Sequence, residues 1–163
     1  MYFSFYSKDI NFVGNLFYLN DEYSLQYRPY CTNVGTTIVY GTYTGLDIIC
    51  ETCEVVYISG FSPKNAWVRK RMTVPKAKTG RLWVHLSNPP LKGVGISYGD
   101  YWETYYDDEK QYICIGDNET NESDDCVEFA NNVIGVLRDG DLIAIWAKIK
   151  EVETAKDIEK ELI

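Results

Sequence analysis

Histidine is nearly absent from this chain. His85 is the only one in 163 residues, which excludes two-histidine acid–base chemistry and most histidine-rich metal centres. No apolar run approaches the roughly 18 residues needed to span a bilayer as a helix. The first ten residues lack the basic start and apolar stretch of a secretory signal, so a cytoplasmic location is expected. Cysteine is sparse and odd in number: Cys31, Cys50, Cys53, Cys114 and Cys126 read as free thiols in a reducing compartment rather than as a disulfide framework. There is no internal repeat, no Ser/Gly-rich linker and no low-complexity segment. A calcium loop is missing too, because Asp107-Asp108 and Asp124-Asp125 lack its glycine and terminal Glu. Gly93-Val-Gly95 and Gly99 are not followed by the Lys-Ser/Thr of a phosphate loop.

What the chain has in abundance is tyrosine and acid. Fourteen Tyr within 15% aromatics and 45% apolar residues imply an ordered core and favour strands. The length fits one domain, 1–163. Short apolar runs broken by turn residues predict strands over Tyr2 to Tyr6, Asn11 to Leu19, Thr36 to Tyr43 and Leu46 to Ser59, then Leu82 to Leu86, Trp102 to Tyr106, Gln111 to Ile115, Val133 to Leu137 and Leu142 to Ile149. Because these follow one another closely, antiparallel pairing is the simplest topology. Asp107-Asp-Glu-Lys110 suits a hairpin built on a type I turn, and Asp139-Gly140 is the strongest hairpin signal in the chain. Between residues 63 and 74, a short helix after Ser62-Pro63 and a strand placing Trp67, Arg69 and Arg71 on one face fit equally well. From Val152 to Ile163, the spacing of Val152, Ala155, Ile158 and Leu162 predicts an amphipathic helix. The fold class is therefore mainly β, an antiparallel sandwich or a strongly curved sheet closed by a C-terminal amphipathic helix.

Charge is sorted along the chain. The net charge is −8, yet seven of the sixteen cationic side chains fall between Lys64 and Arg81 with no acid among them. The region that follows reverses the sign: Asp100, Glu103, Asp107, Asp108, Glu109, Asp117, Glu119, Glu122, Asp124, Asp125 and Glu128 stand against Lys110 alone. The basic run interleaves Trp67 and Trp83 with Arg69, Lys70, Arg71, Lys76, Lys78 and Arg81, the mixture that single-stranded nucleic acid binders use. A nucleic-acid partner nevertheless fits poorly with an acidic chain. The simpler expectation is that this run packs against the acidic loops and neutralises them.

Cys50-Glu-Thr-Cys53 has the spacing of a redox pair or half a zinc site, but it lies inside a strand-like run without a second pair. His85 alternates with Trp83 on the polar side of a strand, and the sequence supplies no base–nucleophile partner for it. No catalytic residue, metal or cofactor is therefore assigned, and the chain reads as a binding protein rather than an enzyme.

A small acidic chain without a catalytic motif resembles the immunity proteins of bacterial polymorphic-toxin and contact-dependent inhibition systems. The resemblance is one of overall character and transfers no residue. It implies a protein that binds one cognate toxin domain, often a basic nuclease, and occludes its active site without chemistry. The partner-binding residues expected on that reading are Asp107, Asp108 and Glu109 at the hairpin tip and Asp117, Glu119, Glu122, Asp124 and Asp125 in the long loop, with Trp102 and Tyr105 as aromatic anchors. Monomer and strand-paired homodimer both remain open.

Overall fold

The computed structural model describes residues 1–10, 12–40, 43–98 and 101–162. Among these residues fourteen strands appear in chain order: β1 (Tyr2–Ser7), β2 (Asn15–Leu19), β3 (Ser24–Arg28), β4 (Thr36–Tyr40), β5 (Tyr43–Ile48), β6 (Glu54–Phe61), β7 (Val68–Arg69), β8 (Lys78–His85), β9 (Ile96–Ser97), β10 (Thr104–Asp107), β11 (Tyr112–Gly116), β12 (Asp125–Ala130), β13 (Val133–Arg138) and β14 (Asp141–Val152). One helix, α1 (Ala155–Glu161), follows them.

The mainly β expectation holds, but the topology is mixed rather than antiparallel. β12 runs parallel to β8, β14 to β2, β9 to β4 and β7 to β10. The pairings form one sheet, not a sandwich of two. From β8 the path runs through β12, β13, β14, β2, β3 and β6, and β6 pairs with β8 again through Glu54↔Trp83 and Val55↔Leu82. Such a path can return to its start only if the sheet curls strongly, and the inner face of the curl holds the main core.

Burial follows the residue pattern. β8 alternates, with Gly80, Leu82 and Val84 inward and Arg81, Trp83 and His85 outward. Val133 to Leu137 carry no polar residue because both faces of β13 are covered. Val133 and Leu137 join the main core, whereas Ile134 and Val136 pack with Cys114, Ala144 and Trp146 in a second layer. That layer is sealed by Met72, with Val74 and Ala77 against it. The basic run thus contributes to the fold itself, laying an apolar edge over the sheet while its cations face outward. α1 does the same for the outer side of β2, where Ile158 packs on Phe17 and Leu19.

Several boundaries differ from the sequence expectation. Residues 63–74 are neither one helix nor one strand: a single 3-10 turn at Lys64–Ala66 leads into the two-residue β7, and the chain then continues without regular structure, tied to β10 by the Lys70 N–H to the Tyr106 carbonyl and the Met72 N–H to Asp107. Trp67 does not share a face with Arg69 and Arg71. It is buried against Tyr18 and Tyr106 at ring distances of 4.9 and 5.3 Å, and its indole N–H donates to Ser62 Oγ at 2.9 Å. Cys50 to Cys53 do not lie within a strand but form the turn between β5 and β6, with Cys53 at φ +60°. The terminal helix spans only Ala155–Glu161; Val152 ends β14, and Thr154 with Asp157 closes a capping box that sets the start. β2 begins at Asn15, and Asn11, Gly41, Thr42, Gly99, Asp100 and Ile163 lie outside the described residues. The turn at Asp139 (φ +53°) and Gly140 (φ +83°) is the expected hairpin, since consecutive positive φ values match the twist of the flanking strands.

Candidate protein-binding site

The acids singled out from the sequence separate into two populations. Asp107 is buried. One carboxylate oxygen accepts from the Met72 backbone N–H at 2.9 Å, and the other accepts from the N–H groups of Glu109 and Lys110 at 3.2 and 3.1 Å and from Arg71 at 3.3 Å. It therefore fastens the basic run to the β10–β11 tip and presents no charge to a partner. The Met72 hydrogen bond, with those of Lys110 and the Arg71 charge, holds its carboxyl below the usual range. Asp108 pairs with Arg71 and, at 3.7 Å, with Arg69, while Glu109 lies 3.3 Å from Arg71 Nε.

The Asp124 side chain is buried as well. Arg138 donates to it twice at 2.8 Å, and this pairing holds its carboxyl low. Asp117 lies 3.4 Å from the same guanidinium. Glu119, Glu122 and Asp125 are exposed and pair with no cation among the described residues. Glu119 and Glu122 face Lys70, Arg71 and Lys76 across a cleft of about 710 Å³. Four of the seven cations in the basic run pair with carboxylates: Lys64 with Glu151, Arg69 with Asp108, Arg71 with Asp107, Asp108 and Glu109, and Arg81 with Glu54. Lys70 donates to Asn118 at 2.8 Å, and Lys110 Nζ to the Met72 carbonyl.

One place gathers acid and aromatic surface together. An open groove of about 500 Å³ is lined by Tyr101, Trp102, Glu103, Tyr105, Asp117 and Asp141, with Tyr98 behind. β10 supplies Tyr105, β11 ends beside the groove at Gly116, and β14 begins with Asp141 at its rim. Gly116, at φ +105°, is required here: a Cβ would stand 2.8 Å from the Trp102 ring and 2.4 Å from the Ile143 carbonyl. Trp102 is held at ring distances of 4.6 Å from Tyr40 and 5.7 Å from Tyr98, whereas Tyr101 is exposed. Glu103 and Asp141 have no cationic partner among the described residues, and the Glu103 carboxylate accepts a long 3.5 Å bond from the Tyr105 hydroxyl. Burial, reinforced by the Glu103 charge, raises the Tyr105 phenol above its ordinary value.

Of the residues expected from the sequence, Trp102, Tyr105 and Asp117 meet in this groove. Asp107, Asp108 and Glu109 do not. Glu103 and Asp141 were not among the expected binding residues: Asp141 reads locally as the end of a hairpin turn, and only the pairing of β14 with β11 carries it to Glu103.

The remaining polar constellation lies on the outer side of β1 and β8, where Ser4 Oγ and His85 Nε2 are 2.7 Å apart. Among the described residues no carboxylate hydrogen-bonds to the imidazole, and no three His, Cys, Asp or Glu side chains are grouped to hold a metal. No described helix is long and apolar enough to cross a membrane. No protein-family model matches this chain, and no curated protein matches it.

Proposed function

We propose that the chain is an acidic binding module that receives a Lys- or Arg-bearing stretch of a basic partner protein in the groove of Tyr101, Trp102, Glu103, Tyr105, Asp117 and Asp141, and that it acts as an immunity-type inhibitor. A toxin nuclease domain, whose substrate-binding cations such a groove would occupy, is the kind of partner that fits. The observation that carries this reading is the meeting of two unpaired carboxylates, Glu103 and Asp141, with four aromatic rings. Rings and carboxylates together suit a guanidinium or ammonium group, which gains both cation–π and ionic contacts. A net charge of −8 adds long-range attraction and speeds encounter. A nucleic-acid role for the basic run has less support, since most of its cations are already engaged within the chain.

The test uses triarginine as probe, a neutral tripeptide as control, and backbone and indole NMR shifts as readout. Expected are saturable shifts at Trp102, Tyr105, Gly116 and Asp141 that fade at about 0.5 M salt, and their loss in the double variant Glu103→Lys, Asp141→Lys. Shifts centred on residues 119–125, or unchanged in the double variant, would remove the groove from the interface. The inhibitor reading further requires that a basic nuclease encoded beside this chain be silenced by it and released by the same double variant.

A further inference from the structure

The outer face of β1 and β8 forms a second site, apart from the acidic groove. Strand alternation turns Phe3, Leu82 and Val84 into the core and leaves two facing rows outside, Tyr2–Ser4–Tyr6 on β1 and His85–Trp83–Arg81 on β8, in the register Tyr2↔His85, Ser4↔Trp83 and Tyr6↔Arg81. Five of these six side chains are large. Ser4 alone is small, so the surface has a notch above it. On one side stands the slab made by Tyr2 stacked on His85, with centroids 4.3 Å apart and rings 3° from parallel. On the other stands the edge-to-face pair of Tyr6 and Trp83 at 5.4 Å. Thr52 and Ser87 complete a groove of about 700 Å³, a size typical of small-molecule sites.

No Asp, Glu, Lys or Arg side chain lines the groove. Arg81, next to Trp83 on the same strand face, is engaged by the buried Glu54 through two 2.6 Å bonds and lies over the Trp83 ring. The side-chain polar groups left to a ligand are chiefly hydroxyls, those of Ser4, Thr52, Ser87, Tyr2 and Tyr6, with the His85 imidazole and the Trp83 indole N–H. Each hydroxyl both donates and accepts. Such a lining offers no charged side chain to pair with an ionic ligand, and it offers more polar contacts than a purely apolar ligand could satisfy.

We infer that this notch binds a neutral saccharide, one pyranose ring seated over Ser4. Its C–H faces lie against Tyr2 and Trp83, and its hydroxyl groups join the Ser4–His85 hydrogen bond. The aromatic rings supply apolar contact at little entropic cost because they are already stacked in place. This site is independent of the proposed protein partner.

The experiment titrates the full chain with maltotriose, cellobiose and diacetylchitobiose, each to about 50 mM, with indole as a planar apolar comparison, and follows the Trp83 indole N–H and the His85 ring by NMR. Expected is a saturable shift confined to β1, β8 and the 50–53 turn with at least one saccharide. Ser4→Leu, which fills the notch on an exposed face, abolishes it; Ser4→Ala, which keeps the notch and removes one hydrogen bond, weakens binding roughly three- to tenfold. If Ser4→Leu does not fold, Ser4→Ala decides. Silence with every saccharide overturns the inference, as does binding of indole alone or a saccharide response that neither Ser4 variant changes.

Discussion

Asp47 is a buried carboxylate, 5% exposed, with no cation beside it. It accepts the hydroxyl hydrogens of Thr37 and Ser59, each at 2.5 Å. Burial raises its pKa above the ordinary 3.8, and the two hydroxyls only partly offset that. The folded state therefore binds the proton more tightly than the unfolded chain. The stability this contributes is complete below the unfolded pKa and disappears as pH rises through the folded one, at up to about 1.4 kcal/mol per pH unit. Asp47→Asn keeps the volume and both hydrogen bonds, since either hydroxyl can rotate to accept from the amide, and it removes the buried charge. At pH 7 the variant is expected to be more stable by about 1–2 kcal/mol, an increase in Tm of roughly 2–8 °C for a chain of this size. Near pH 3.5 the difference should vanish. Paired urea titrations of both proteins across this range measure it directly. A variant less stable than wild type at neutral pH, or a difference that does not change with pH, would refute the reasoning, because each would mean that the charged form is the better accommodated one.

The opposite sign is expected at Asp107 and Asp124, whose pKa values are lowered, by the Met72 hydrogen bond and by Arg138 respectively: their contribution is present above the unfolded pKa and is lost as pH falls through the folded values, so amide protection, measured against the intrinsic exchange rate at each pH, should fall first in the β10–β11 tip and in residues 117–124 on acidification. Arg138→Ala strips the buried Asp124 of both side-chain donors and should speed amide exchange in residues 117–124 by about tenfold or more at neutral pH; unchanged protection there would show that the pair does not hold the loop. Trp146 is fully buried with an indole N–H that has no partner, so Trp146→Phe should cost under about 1.5 kcal/mol and Trp146→Ala about 3–5 kcal/mol, as equilibrium denaturation will report. Ile158→Ala should release α1 from Phe17 and Leu19, with loss of protection in residues 155–161 and about 2 kcal/mol or more of stability, while β13 and β14 stay protected.

How much of this was legible beforehand depended on the range of the interaction. Many strand positions, the Asp139-Gly140 hairpin and the amphipathic end were readable, because alternation, turn conformation and helical spacing act within a few residues of one another, but β3 and β12 were not among the expected strands. The 50–53 turn was not, since Cys and Thr are ordinary strand residues and only the pairing of Ile48 with Val55 makes a hairpin there. Nor was the parallel pairing of β8 with β12 and of β14 with β2, which joins segments far apart in sequence.

The candidate sites divide along the same line. Composition by itself determined that the chain is acidic, rich in tyrosine, β-forming and poor in histidine. It also placed the basic run and the acidic loops near enough in the chain for mutual neutralisation to be expected. Only the tertiary structure decided which charges cancel: Asp107 and Asp124 went inside to hold Met72 and Arg138, while Glu103 and Asp141 remained outside without a cationic partner among the described residues. Likewise, strand alternation put His85 and Trp83 on one face, but it took the docking of β1 against β8 to set Ser4 beside the imidazole. The physical reason is common to both cases. A residue type fixes what a side chain can do, whereas its partners are chosen by long-range strand pairing, and local sequence carries almost no record of that choice.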